Sequence, residues 1–394
     1  MCKYFQDSRY NVFYKLITLK TKIMEFTNET QTLELGPGVI AKASVAKGPA
    51  FILAATEWVA IQTYVINALA LPTTAETFKT YLGKGAPSDM APFASLITAY
   101  GNINKHVTTW QKDTFPASIS LASDIVNYGK QAPIYYNPIL PLAEKLKKDP
   151  NDQESKDTLK GILEVLSKSA SDHHIKAKAV AQKIQSFADD TQADKVVLTG
   201  VDGSGGLKKE YNDKYGATSK EVTEIKEDLE LQAKTLDQAN KDYDHYVVVA
   251  STTPTYVWVW PFGTVAAAVV AGIYGDKAVK ALEKVRATEK KIKDLGEKLA
   301  ADALLIISVS NASSGISKTS DQIAAALPVI QKIQGVWGAI TDDLNNIIQT
   351  IDTNIAEALP IIMKLGVQTA IQEWTDVAEL ANEYRLHANV KFEK

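Results

Sequence analysis

The chain has 394 residues, a formal net charge of −3, and 23% of its residues are Asp, Glu, Lys or Arg. That length suits two ordinary domains or one elongated one, and no basic field points toward nucleic acid. Cysteine occurs once, at Cys2, which excludes an internal disulfide framework and a cysteine-rich zinc site.

Residues 1–23 read as an extension with no part in the fold. Lys15, Lys20 and Lys22 break up any apolar core of a secretory signal, and Met24 offers a start of its own. A helical tail bundle is expected from two pieces of chain, 24–216 and 308–394. In TEWVAIQTYVINALAL, 56–71, Trp58, Ile61, Val65 and Leu69 share one face between a Thr56 cap and the terminator Pro72. Residues 89–131 follow as a long helical pattern with a kink expected at Phe115-Pro116. Then comes the proline-punctuated APIYYNPILPL. Residues 154–190 carry Leu159, Leu163, Leu166, Ala170, Ala177, Ile184 and Phe187 at helical spacing. Between Asp190 and Ala217, the Gly- and Asp-rich composition predicts a loop or a small extended excursion.

A stalk is predicted over 217–307. Before its centre, Val222, Ile225, Leu229, Leu236, Ala239 and Tyr243 keep a heptad spacing; after it, Ala278, Leu282, Val285, Ile292, Leu295, Leu299 and Ala303 do the same. Both apolar stripes are thin and both charged faces broad, the pattern of an antiparallel coiled-coil hairpin. Between them lies YVVVASTTPTYVWVWPFGTVAAAVVAGIYG, 246–275, which holds no charged residue. It is as long as a membrane span, which takes about 20 apolar residues. Pro254, Pro261 and Gly263 break it into two halves, so a hairpin tip is expected rather than one continuous helix. Its apolar surface would come from Val247, Val248, Val249, Val257, Val259, Phe262, Val265, Val269, Val270 and Ile273. Tyr256, Trp258, Trp260 and Tyr274 are ring types that favour the membrane–water interface.

The C-terminal part reads as two long helices. One runs through Ile323, Ile330, Ile333, Trp337, Ile340, Leu344 and Ile348. The other runs through Ile355, Leu359, Ile362, Trp374, Val377, Leu380 and Tyr384, with breaks or kinks expected at Pro328 and Pro360. Strand-like alternation is nearly absent. The fold class is therefore all-α: an elongated helical bundle, a long antiparallel coiled-coil stalk and a hydrophobic hairpin at its end.

No catalytic, cofactor-binding or metal-binding constellation stands out. His173 and His174 are adjacent and point about 100° apart on a helix, so they share no face for a metal. GVDGSGG, 200–206, lacks the Gly-Lys-Ser/Thr ending of a phosphate loop and reads as a flexible loop. Two function classes fit. One is a soluble protein that inserts an apolar arm into a membrane. The other is a helical adaptor or anchored protein whose apolar run is a permanent anchor or partner interface.

Three stretches carry a family likeness. EWVAIQTYVINALALP, VVLTGVDGSGG at 196–206, and KDYDHY at 241–246 leading to AGIYGDKA at 271–278 resemble alpha-xenorhabdolysin A-type subunits, members of the cytolysin A group of α-helical pore-forming toxins. The first stretch, with KIQGVWGAI at 332–340, is also similar to the α-helical crystal toxins of Bacillus. The tip departs from the family pattern, with two prolines and a Tyr-Trp-Trp cluster in place of a smoother Gly/Ala/Ile-rich run. The resemblance implies a five-helix tail, a coiled-coil neck and a hydrophobic head. It also implies release without a cleavable signal, a soluble monomer that binds a target-cell membrane, and assembly there into a ring. The ring would be built either with a second subunit or from one chain alone.

Overall fold

The computed structural model describes residues 35–38, 61–62, 64–65, 68–82, 86–215, 267–268, 331–387 and 392–393. After helical residues 68–69, the helices are α1 (Ala75–Leu82), α2 (Ala94–Thr109), α3 (Phe115–Tyr136), α4 (Ile139–Lys148), α5 (Gln153–Thr199), α6 (Gly206–Tyr215), α7 (331–353), α8 (Ile355–Lys364) and α9 (Val367–His387). A two-residue antiparallel pairing joins Ala267–Ala268 to Phe392–Glu393. The all-α expectation holds.

The longest described element, α5, has 47 residues and so runs about 70 Å. Asp152 starts it: its carboxylate accepts the Ser155 amide at 3.0 Å and the Ser155 hydroxyl at 2.7 Å. A lysine from the preceding helix completes the cap, with Lys145 Nζ 2.8 Å away. That hydrogen bond, with those from Ser155, holds the Asp152 carboxyl well below the usual carboxylate range. The predicted stripe is the buried face of this helix, since Leu159, Leu163, Leu166, Ala170, Ala177, Ile184 and Phe187 are all buried.

Cross-helix bonds give the order of the bundle. Lys160 meets Asp352, Ser167 meets Asn345 and His174 meets the Gln334 carbonyl, so α5 and α7 run antiparallel. Tyr128 meets His173, Asp124 meets Lys176 and Trp110 meets Phe187, so α5 is antiparallel to α3 as well. Asn137 meets Gln368, Gly129 lies against Trp374, and Ser118 bonds Tyr384, which sets α9 antiparallel to α3. Four long helices thus share one core, and α4 packs on α5 and α8 at its side.

Several expected breaks fall elsewhere. Trp110–Thr114 forms a π-helical turn in which the Phe115 amide reaches the Trp110 carbonyl five residues back. The widened turn absorbs Pro116, which has no amide hydrogen to give, so the expected kink is a local bulge between α2 and α3. Pro133 and Pro360 both lie inside helices. The C-terminal breaks come instead at Asn354, whose side chain caps α8 by accepting the Ala356 amide, and at Leu365-Gly366. Residues 190–199, predicted as a loop or small extended excursion, complete α5. Residues 61–62, 64–65 and 68–69 are helical as expected, with Ile61 and Val65 fully buried, and the helix ends before Pro72. The expectations for residues 1–23, Trp58, Ile323, Ile330, Pro328 and the stalk lie outside the described residues.

Helix α3 packs closely on α9 at Gly129. A Cβ on Gly129 would stand 2.5 Å from the Ala378 Cβ and 2.6 Å from the Trp374 carbonyl oxygen. Even one methyl group must push two backbones apart. Gly129→Ala is therefore expected to cost about 1–3 kcal/mol of stability through overpacking, outweighing alanine's better helix propensity. Urea denaturation of the variant against the parent measures it.

Candidate functional site

The predicted membrane-contacting residues, Val247 to Tyr274, and the stalk seam residues, Val222 to Leu299, lie outside the described residues. What the structure describes is the helical body from which the predicted stalk would extend. The predicted stalk follows α6 in the chain and precedes α7.

The exit corner is tightly built. Gly200 ends α5 with φ 76°, and the Gly205 amide bonds the Thr199 carbonyl at 2.6 Å. Gly206 restarts the helix with φ 61°, where a Cβ would stand 2.6 Å from the Val197 carbonyl oxygen. These positions tolerate no other residue without strain. Asp202 accepts the Ser204 amide at 2.9 Å, and α6 folds back on α5 through buried Leu207 and Tyr211. GVDGSGG is thus a bonded helix reversal rather than a flexible loop.

Below that corner, His106 of α2 clasps α5. Its Nδ1 lies 2.7 Å from Asp194 and its Nε2 lies 3.8 Å from Asp190. Burial raises the Asp194 carboxyl above its ordinary range, against the pull of His106. Both ring nitrogens face carboxylates of one helix, so the arrangement holds α2 to α5. Among the described residues, no group of His, Cys, Asp or Glu side chains could hold a metal ion.

The centre of the body is an aromatic layer with one ring from each long helix: Tyr128 of α3, His173 of α5, Trp337 of α7 and Trp374 of α9. Trp337 stacks on Trp374 with centroids 4.6 Å apart and planes 21° apart. Tyr128 meets both indoles edge-on, at 4.7 and 4.8 Å, and His173 edge-on at 5.6 Å. His173 also leans on Trp337 at 4.7 Å. Such edge and offset contacts each add about 0.5–1.5 kcal/mol beyond the area they bury.

This layer holds the amino-terminal strand of chain in place. Leu35, Gly36, Pro37 and Gly38 are all buried. The Leu35 carbonyl accepts two hydrogen bonds at 2.9 Å, from the Tyr136 hydroxyl and from Trp374 Nε1. With its proton committed there, Tyr136 accepts from Tyr128 at 2.8 Å. Burial pushes the Tyr128 and Tyr136 phenols above the usual tyrosine range, so they stay neutral donors. A Cβ on Gly36 would lie 2.5 Å from a Glu373 carboxylate oxygen, so a larger residue there would require that side chain to move. Periodicity places Trp337 and Trp374 on buried faces, but Leu35, Tyr128 and Tyr136 escape it. The usable signal was Gly-Pro-Gly at 36–38, too compact for a helix and flanked by apolar residues.

The family model of the Bacillus haemolytic enterotoxin (HBL) matches residues 88–240. The pesticidal crystal protein Cry6Ba of Bacillus thuringiensis is 24% identical over 386 residues, covering 90% of this chain and 91% of its own length. Among solved structures, the Bacillus cereus HblL1 toxin component superposes with a TM-score of 0.61 at 18% identity, over 92% of this chain and all of its own. Soluble SmhA of the tripartite α-pore-forming toxin from Serratia marcescens gives 0.58 at 13% identity, over 92% of this chain and 97% of its own.

Removing the Trp374 donor (Trp374→Phe) or the Tyr136 donor (Tyr136→Phe) is expected to cost about 0.5–1.5 kcal/mol each. The double variant leaves the buried Leu35 carbonyl with neither donor and should exceed their sum, which urea midpoints will show. In fold, the chain is similar to the HblL1 and SmhA toxin components over nine-tenths of its length.

Proposed function

We propose that the chain is a subunit of a pore-forming toxin. It is released as a soluble monomer, contacts a target-cell membrane through residues 247–274, and assembles into a pore there with further helical subunits. The observation that carries this reading is the likeness to the HblL1 toxin component over 92% of the chain, joined to a charge-free run in a chain that is 23% charged. SmhA is one part of a tripartite toxin, which supports partner subunits here. Among the described residues, no helix is long and apolar enough to cross a membrane.

The physical driving force is burial of the apolar tip. Val257, Val259, Phe262, Val269 and Ile273 would each gain about 1.5–3 kcal/mol on full burial. Tyr256, Trp258 and Trp260 would rest at the headgroups, where a ring can stay half wet. Pairing of Ala267–Ala268 with Phe392–Glu393 supports a resting form in which part of the run is docked on the chain's own end.

Dye release from liposomes, with this chain alone and with candidate partner subunits, tests the reading. Val269→Asp and Val259→Asp each add about 2.5–3.5 kcal/mol of insertion cost at the centre of the run. They should keep the helical circular dichroism of the parent and lose most release, while Lys234→Glu on the stalk's polar face should change little. Parent-like release by folded Val269→Asp and Val259→Asp would make the run ordinary core.

A further inference from the structure

We propose that His173 makes the aromatic layer an acid-sensitive joint, so that protonation releases α7, the helix that follows the arm, from the other three. The geometry is specific. His173 sits on α5 with its ring against Trp337 of α7 and the edge of Tyr128 of α3. Its Nδ1 is buried and has no hydrogen-bond partner among the described residues, and neither has the Nε1 of Trp337 beside it. Its Nε2 lies 3.5 Å from the Ser169 hydroxyl.

A neutral imidazole fits this setting, with its proton on Nε2 and a bare Nδ1 against the rings. An imidazolium carries two N–H donors, and the second has nowhere to go. The charged groups around it are already committed. Asp124 of α3 is paired with Lys176 at 2.8 Å, and Asp172 of α5 with Lys168 at 3.0 Å. From α7 the facing group is the indole of Trp337, which accepts no N–H in its plane; the α9 ring, Trp374, stacks on the Trp337 indole. His174, one residue on, differs: it is bonded through Nδ1 to the Gln334 carbonyl of α7 at 3.0 Å.

Burial pulls the His173 imidazole below its ordinary range; Lys176 adds to this, while Asp124 and Asp172 oppose it. The closed layer therefore binds a proton less tightly than the open one. Stability is full above the ordinary histidine range, about pH 6.5, and is lost as pH falls below it. One linked proton changes the opening equilibrium by at most about tenfold per pH unit.

Hydrogen exchange on the full chain in lipid-free buffer tests this apart from any toxin activity. Protection of the α7 amides at 333–341, corrected for intrinsic exchange, should be flat from pH 8 to about 6.5 and then fall by up to about tenfold per unit toward pH 5. His173→Phe should keep the fold and abolish the slope; if its circular dichroism departs from the parent's, His173→Asn serves with the same expectation. A parent that stays flat, or a folded variant with the parent's slope, overturns the proposal.

Discussion

Four long helices meet where Tyr128, His173, Trp337 and Trp374 each contribute one ring, and the rest of the body is arranged around that meeting. Stacked and edge-on rings have narrow distance ranges, so they set both the separation and the axial register of the helices that carry them. Gly129 allows α3 and α9 to close to that distance, and nothing larger would. One ring of that layer, Trp374, joins Tyr136 in donating to the Leu35 carbonyl. Packing, register and the path of the amino-terminal chain therefore share one set of contacts.

The turn from α5 into α6 is cornered by Gly200 and Gly206 and bonded from Thr199, so α6 leaves α5 in a defined direction. The re-entry helix α7 is bound to α5 by Lys160–Asp352, Ser167–Asn345 and His174–Gln334 along its length. The exposed ion pair among them, Lys160–Asp352, adds little by itself. Buried Ile333, Trp337, Ile340, Leu344, Ile347 and Ile351 carry most of the attachment. A release mechanism acting on α7 must therefore act on its apolar seam, where the His173 ring lies against Trp337.

Much of the helical plan was legible because buried faces repeat at helical period. The stripe read on α5 is buried throughout, as are Ile333, Trp337, Ile340 and Leu344 of α7 and Trp374 and Val377 of α9. Ile348, Leu380 and Tyr384 are half-buried, and the helix before Pro72 ends where its proline requires. The errors share a cause. Proline and glycine were read as breaks, yet Pro133 and Pro360 sit in helices supported by packing, and the glycines of 200–206 build a tight reversal. Local composition cannot report that support. The pairing of rings across helices was not legible either, since periodicity says that a residue is buried but not what it meets. For the site, the family likeness was legible from short motifs, whereas the tip and seam assignments still rest on charge patterning alone.

The central claim is that a packed helical body presents the 247–274 run to lipid. Because Cys2 is the sole cysteine, a Cys2→Ser, Val269→Cys chain can carry one environment-sensitive fluorophore at the middle of the run. On adding vesicles, its emission should shift to the blue and be quenched by a quencher borne on the acyl chains, while the same probe at Lys234→Cys stays accessible to aqueous iodide. Vesicle leakage with the probe at 269 still wet and reached only by iodide would contradict the account.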